Sequence, residues 1–292
     1  SKVSDRRMTL EDALAALKAA AEEGRAEGMA DYHKVPREYL GVPNPAINDL
    51  AKEWRQAMGV DERVALADQL WQTNIFEARL TAAKLLPQAR INPDEAVWEL
   101  IKSWVPDFDS WAIADHAMMA GQKRLVAKPS RIEDIEPWTK SSEHWVRRAA
   151  MVVTLPYTKQ NHPKPDELAI RKRVLGWAVA YVEDDEWFIQ KSVAWWLRDL
   201  SKHDAPRVEY FLANHAKKMK PFARKEAAKH LPVAPQGNPP APKVYFLNTF
   251  TSLKSVSGAS TTRKAASDIR EPAPAGPSSG IRSSSTALPF LG

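Results

Sequence analysis

The feature that most restricts this chain is a recurring short segment headed by an aromatic residue. Aligned on that residue, the copies are Phe76-EARLTAA, Trp111-AIADHA, Trp145-VRRAAMV, Phe188-IQKSVAW and Phe222-ARKEAAK, spaced by 35, 34, 43 and 34 residues. Each copy opens an apolar pattern of helical period, and a second helical pattern fits between consecutive copies. Helix pairs recurring at this interval predict an α-solenoid, in which each repeat buries its apolar face only by stacking on its neighbours. The fold class expected is therefore all-α: HEAT-like helical repeats lining a concave basic groove. Composition agrees, because only 11 of 292 residues are Gly. No segment alternates as a strand with turn signals at its ends.

The predicted helices run Thr9–Glu27, Ala46–Met58, Glu62–Gln72, Ile75–Ala89, Pro93–Ser103, Ser110–Leu125, Ile132–Thr139, Glu143–Leu155, Pro165–Val182, Glu186–Lys202, Pro206–Lys217 and Pro221–His230. Thr9 with Asp12 reads as a capping box at the first of them. Pro93, Pro165 and Pro206 stand at first turns, where a missing N–H costs nothing. One repeat domain is expected over residues 1–231. Residues 232–292, rich in Pro, Ala, Gly and Ser, are expected to be a disordered tail in which only VYFLNTF (244–250) has strand character. Cysteine is absent, which excludes disulfides, thiolate metal sites and a cysteine nucleophile. There is no apolar run of membrane-spanning length and no signal-type apolar core near the N-terminus.

Charge is distributed unevenly. Residues 1–139 carry 18 basic and 23 acidic side chains, whereas residues 140–231 carry 18 and 11. Such asymmetry points to a polyanionic partner. Four of the five copies place a base three positions after the aromatic: Arg79, Arg148, Lys191 and Lys225. If the repeated helix lines the groove, these bases form a cradle for a phosphate backbone. The Trp111 copy breaks the rule. It has Ala114 at the basic position and Asp115 next to it, so the groove loses a positive charge and gains a carboxylate. A carboxylate facing DNA repels it unless it has a chemical task. In the fourth copy Phe188, Lys191, Trp195 and Arg198 form one stripe on a helix face, too polar for a core and expected to face the groove. Arg147 and Arg148 sit on the first turn of their helix.

These strings (WAIAD at 111–115, HWVRRAAM at 144–151, DEWFIQKSVAWWLRDLSK at 185–202, PFARKEAAKHL at 221–231 and the entry segment YLGVPNPAINDLAKEW at 39–54) resemble the DNA alkylation repair glycosylases of the AlkD type. The resemblance spans about residues 30–231. It implies HEAT-like repeats cradling duplex DNA, and hydrolysis of the N-glycosidic bond of N3- and N7-alkylated purines. By the same resemblance Asp115 is the catalytic carboxylate and Trp111 and Trp195 contact the lesion and its deoxyribose. Arg148 and Arg198 are matched to the family's groove arginines. Together with Lys191, Arg147, Arg79 and Lys225 they are the candidate phosphate-binding residues.

The chemistry fits the residue types. An alkylated purine is already cationic and leaves readily, so no strong general acid is required. Positive charge then moves onto the sugar as an oxocarbenium ion, which a carboxylate stabilises while it orients water. No lysine stands in for the acid, so the expected enzyme is monofunctional and leaves an abasic site. No metal or organic cofactor is expected. The expected partner is double-stranded DNA containing alkylated purines, bound by a monomer with no obligate protein partner and no membrane, in a cytoplasmic, bacterial nucleoid-associated setting. The family is also similar in having members that bind unusual DNA without glycosylase activity. The alternative is therefore a non-catalytic repeat protein for branched or damaged DNA, and a third is a protein-binding scaffold.

Overall fold

The structure, a computed structural model, describes residues 7–232 in full and the backbone of two short strands beyond them. The described residues form an all-α array of HEAT-like helical repeats, divided into two compact units that part between Arg131 and Ile132. Among them no helix is long and apolar enough to cross a membrane.

The first unit holds α1 (Leu10–Ala19), α2 (Arg25–His33), α3 (Asn44–Ala57), α4 (Val60–Gln72), α5 (Phe76–Lys84), α6 (Glu95–Trp104) and α7 (Trp111–Ala127). Thr9 caps α1 with the predicted box, its Oγ1 accepting from Asp12 N at 3.1 Å. The single helix expected over Thr9–Glu27 is two helices. Gly24 sits between them at φ +78°, a left-handed conformation that ends the run. The helix expected over Ile75–Ala89 ends at Lys84. Pro93 precedes α6 rather than opening it, and Asp94 is the cap.

Helix α5 is the centre of this unit and packs against α3, α4 and α7. Every residue from Phe76 to Ala83 is buried. Ala78, Ala82 and Ala83 let the neighbouring backbones approach closely. The one buried acid in that run, Glu77, accepts from three backbone N–H groups: Leu40 at 2.9 Å, Gly41 at 2.7 Å and Val42 at 2.9 Å. One carboxylate thus ties the α2–α3 connection to the central helix. Gly41 is required there, since it has φ +88° and a Cβ would lie 2.9 Å from Ala26 N.

The second unit holds α8 (Ile132–Ile135), α9 (His144–Val153), α10 (Pro165–Tyr181), α11 (Trp187–Ser201), α12 (Ala205–His215) and α13 (Pro221–Ala227). The helix expected over Ile132–Thr139 is the single turn α8 followed by a 3₁₀ stretch containing Pro137. Helix α11 is central here and packs on α9, α12 and α13. Its Gln190, 1% exposed, donates to the carbonyls of Val182 and Asp184, both at 2.8 Å, and accepts from Lys220 N at 3.0 Å. This side chain joins the end of α10 to the start of α13.

Buried or half-buried arginines cap carbonyls at the helix ends in both units. Arg63 donates to Leu85 O at 3.1 Å, Arg171 to Tyr157 O at 2.9 Å and Arg224 to Met219 O at 2.8 Å. Each satisfies acceptors that a helix C-terminus leaves open and complements its negative dipole. Beyond residue 232, β1 (Lys243–Phe246) pairs antiparallel with β2 (Leu253–Val256). The strand expected at 244–250 falls partly on β1, and the expectation of a disordered tail otherwise lies outside the described residues.

Candidate nucleic-acid interface

All five repeat heads stand at or next to the first residue of a helix: Phe76 on α5, Trp111 on α7, Trp145 on α9, Phe188 on α11 and Phe222 on α13. In the first unit they belong to an aromatic cluster. The His33 ring lies 4.5 Å from Phe76, 5.7 Å from Trp111 and 5.9 Å from Tyr39, to which it is parallel. Tyr32 meets the edge of Trp111 at 6.1 Å, and Tyr39 meets Phe76 at 5.2 Å. Trp111 is only half-buried, so its indole is a partly open wall of this cluster. Burial, helped by the charge of Arg37, pulls His33 down to about 4, so its ring is neutral near pH 7 and serves as one more apolar face.

Tyr32, His33 and Tyr39 were not singled out by the sequence. They come from the end of α2 and the loop after it, which Glu77 and a bond from Phe76 N to Glu38 O at 3.0 Å hold against α5. One turn beyond Trp111, Asp115 is 1% exposed. His116 follows it, fully inside, with Nδ1 2.7 Å from Ala112 O.

The second unit brings together Arg148, Lys191, Trp195 and Arg198. The Arg148 guanidinium lies over Phe188 at 5.5 Å and over Trp195 at 5.9 Å, and donates to Phe188 O at 3.0 Å. Lys191 Nζ lies 5.8 Å above Trp187, whose ring stacks on Phe222 at 5.1 Å. Arg198 pairs with Glu226, and Lys191 lies 3.9 Å from the same carboxylate. Burial is the first cause that lowers the Lys191 ammonium. Glu226 opposes it, and Arg198, Arg148 and Lys229 add to it. Arg198 and Lys191 therefore share the Glu226 carboxylate, with Asp199 3.9 Å from Arg198 and Arg148 held among the aromatic rings beside them.

The expected open stripe on α11 is corrected by this packing. Trp195 is 3% and Arg198 7% exposed, because α11 is the central helix and its neighbours close over that face. Arg148 is buried as well. Arg79, expected in the groove, is buried in the first unit: it donates to Trp71 O at 3.1 Å and lies 4.6 Å over the Trp71 ring. Arg147 donates to Ser141 O at 2.9 Å and pairs with Asp184 at 3.0 Å. Lys225 alone of the four repeat bases is exposed. Trp111 and Asp115 belong to the first unit, and Arg147, Arg148, Lys191, Trp195, Arg198 and Lys225 to the second.

Among the described residues no group of three His, Asp or Glu side chains converges as a metal site. No curated protein sequence matches the chain. Among solved structures, the chain is similar to a predicted DNA alkylation repair enzyme from Enterococcus faecalis. The TM-score is 0.60 at 21% identity, over 73% of this chain and 98% of that one. It is also similar to AlkD2 from Streptococcus mutans, with a TM-score of 0.52 at 17% identity, over 76% of this chain and 99% of that one. At these identities the likeness concerns the fold. The profile of the DNA alkylation repair enzyme family matches residues 13–231, three quarters of the chain, so a helical repeat that carries these aromatic and cationic clusters serves alkylation repair of DNA: the chain belongs to the DNA alkylation repair enzyme family.

Proposed function

We propose that this protein is a monofunctional DNA glycosylase that hydrolyses the N-glycosidic bond of N3- and N7-alkylated purines in duplex DNA and leaves an abasic site. The observation that carries this reading is the start of α7, where a half-open indole in an aromatic cluster is followed one turn later by a carboxylate shielded from water. In this reading Trp111 and the rings around it pack on the deoxyribose and the cationic base by apolar and cation–π contact, worth roughly 0.5–2 kcal/mol per contact. As the C1′–N bond breaks, its electron pair neutralises the purine and the positive charge passes to the sugar. Asp115 stabilises that charge and takes a proton from the water that attacks C1′. Low local dielectric strengthens this electrostatic term. In the second unit Lys191 and Lys225 hold phosphates, with the buried Arg148 and Arg198 adding to their field.

The test is base release from duplex DNA carrying N7-methylguanine, comparing wild type and Asp115→Asn at matched DNA occupancy. Loss of most of the rate with binding retained supports the reading. A second reading, a non-catalytic binder of damaged or branched DNA, is favoured by the near-complete burial of Asp115. It predicts that neither protein releases N7-methylguanine or N3-methyladenine although both bind.

A further inference from the structure

Helices α3, α5 and α7 of the first unit line a half-open cavity of about 310 Å³ whose lining includes Asp49, Lys52, Arg55, Lys84 and His116. Its charge balance is incomplete. Among the described residues neither Lys52, Arg55 nor Lys84 forms an ion pair with a carboxylate. Arg55 spends one nitrogen on the Lys84 carbonyl at 2.5 Å. Burial, then the charge of Arg55, pulls the Lys84 ammonium down to about 8. Three cations thus face one acid, the exposed Asp49.

His116 adds a second, independent observation. It is 3% exposed, and its Nε2 is buried with no hydrogen-bond partner. Burial first and then Lys84 lower its pKa to about 3, so the ring is neutral. With Nδ1 donating to Ala112 O, Nε2 is the acceptor. The cavity therefore offers cationic donors for an anion and, once a small shift of its lining uncovers Nε2, one acceptor that needs a proton from its ligand. A water would satisfy Nε2 and leave the cations uncompensated. Carboxylate and sulfate would meet the cations and present only lone pairs to Nε2. Inorganic phosphate near pH 7 keeps at least one proton and a phosphate monoester, with a second pKa of about 6, keeps one in its monoanion, so each can be both an anion and an O–H donor.

We propose that this cavity binds a protonated phosphate, either inorganic phosphate or the phosphate of a small monoester, with its oxygens on Lys52, Arg55 and Lys84 and its hydroxyl on His116 Nε2. The DNA backbone is a phosphodiester without a proton and does not meet the His116 requirement. The site is separate from the aromatic cluster and does not rest on the glycosylase reading.

The test is calorimetric titration of the full chain at pH 7 with inorganic phosphate, sulfate and 2-deoxyribose 5-phosphate at equal ionic strength. Phosphate or the monoester is expected to bind with one site per chain and at least about tenfold more tightly than sulfate, the scale of one hydrogen bond to a charged group. The tighter of the two identifies the source. Lys84→Gln, at a half-buried position, is expected to weaken binding about tenfold or more with an unchanged melting temperature. His116→Gln is expected to erase the preference over sulfate. Should that core variant not fold, the His116 ¹⁵N resonance of the wild type gives the same information, moving with phosphate and not with sulfate. Equal affinity for phosphate and sulfate, no binding of either phosphate probe, or displacement of bound phosphate by duplex DNA with hydroxyl ends would overturn the proposal.

Discussion

The two units use one repeat position for opposite purposes. In the first, the base after Phe76 is Arg79, which is buried against Trp71, and the helix headed by Trp111 carries Ala114 and a buried Asp115. Its aromatic cluster, Tyr32, His33, Tyr39, Phe76 and Trp111, is flanked by a neutral histidine and a carboxylate. In the second, Arg148 and Lys191 lie over Phe188, Trp195 and Trp187, and Arg198 joins them at Glu226. The first unit concentrates ring surface and negative charge, and the second concentrates ring surface and positive charge. In the proposed function a cationic lesion and a polyanionic backbone make opposite electrostatic demands, which variation of a few residues per copy would meet.

The largest expected effect tests the chemistry assigned to the first unit. Asp115→Asn should lower single-turnover release of N7-methylguanine by about 100-fold or more, the usual scale for removing a charge-stabilising group, with DNA affinity retained or increased. Next comes the support of the aromatic cluster. Glu77→Ala strands two buried amides and one part-buried amide and should destabilise the protein by about 3 kcal/mol or more, read as a lower midpoint in urea. Glu77→Gln, which keeps an acceptor, should lose less. The second unit is tested by salt. Lys191→Gln and Lys225→Gln should each reduce the slope of log affinity against log salt by about one, across sequences alike. Trp111→Ala should leave that slope unchanged. Equal slopes for all three variants would remove the division of labour.

The smallest effect is a pH dependence confined to the first unit. His33 and His116 fall from an ordinary value near 6.5 to about 4 and about 3. Their folded pKa values are depressed, so their contribution to stability is complete above pH 6.5 and is lost as pH falls from there toward 4 and 3. Asp94, lowered chiefly by its hydrogen bond from Arg131 at 2.6 Å, adds a loss at still lower pH. Amide protection in α2 and α7, corrected for the intrinsic pH dependence of exchange, should therefore fall between pH 6.5 and 4, and His33→Gln should flatten part of that change.

Much of this follows from local pattern. The five aromatic heads, the helix after each and the capping box at Thr9 are set by residues within one or two turns of each other, and the sequence alone determined them. So were the all-α class and the uneven charge. What it could not determine is where a long basic side chain ends. Arg79, Arg147, Arg148 and Arg198 have the spacing of a groove stripe, yet they turn to Trp71, Asp184, Phe188 and Glu226, partners 8 to 40 residues away. A guanidinium can hold a phosphate or cap a carbonyl with the same donors, and its neighbours decide which. Glu77, Gln190, the rings of Tyr32, His33 and Tyr39, and the unpaired Nε2 of His116 acquire their meaning in the same way. Each depends on a segment distant in sequence, and only the packing of the helices brings those segments within hydrogen-bonding or ring-contact range.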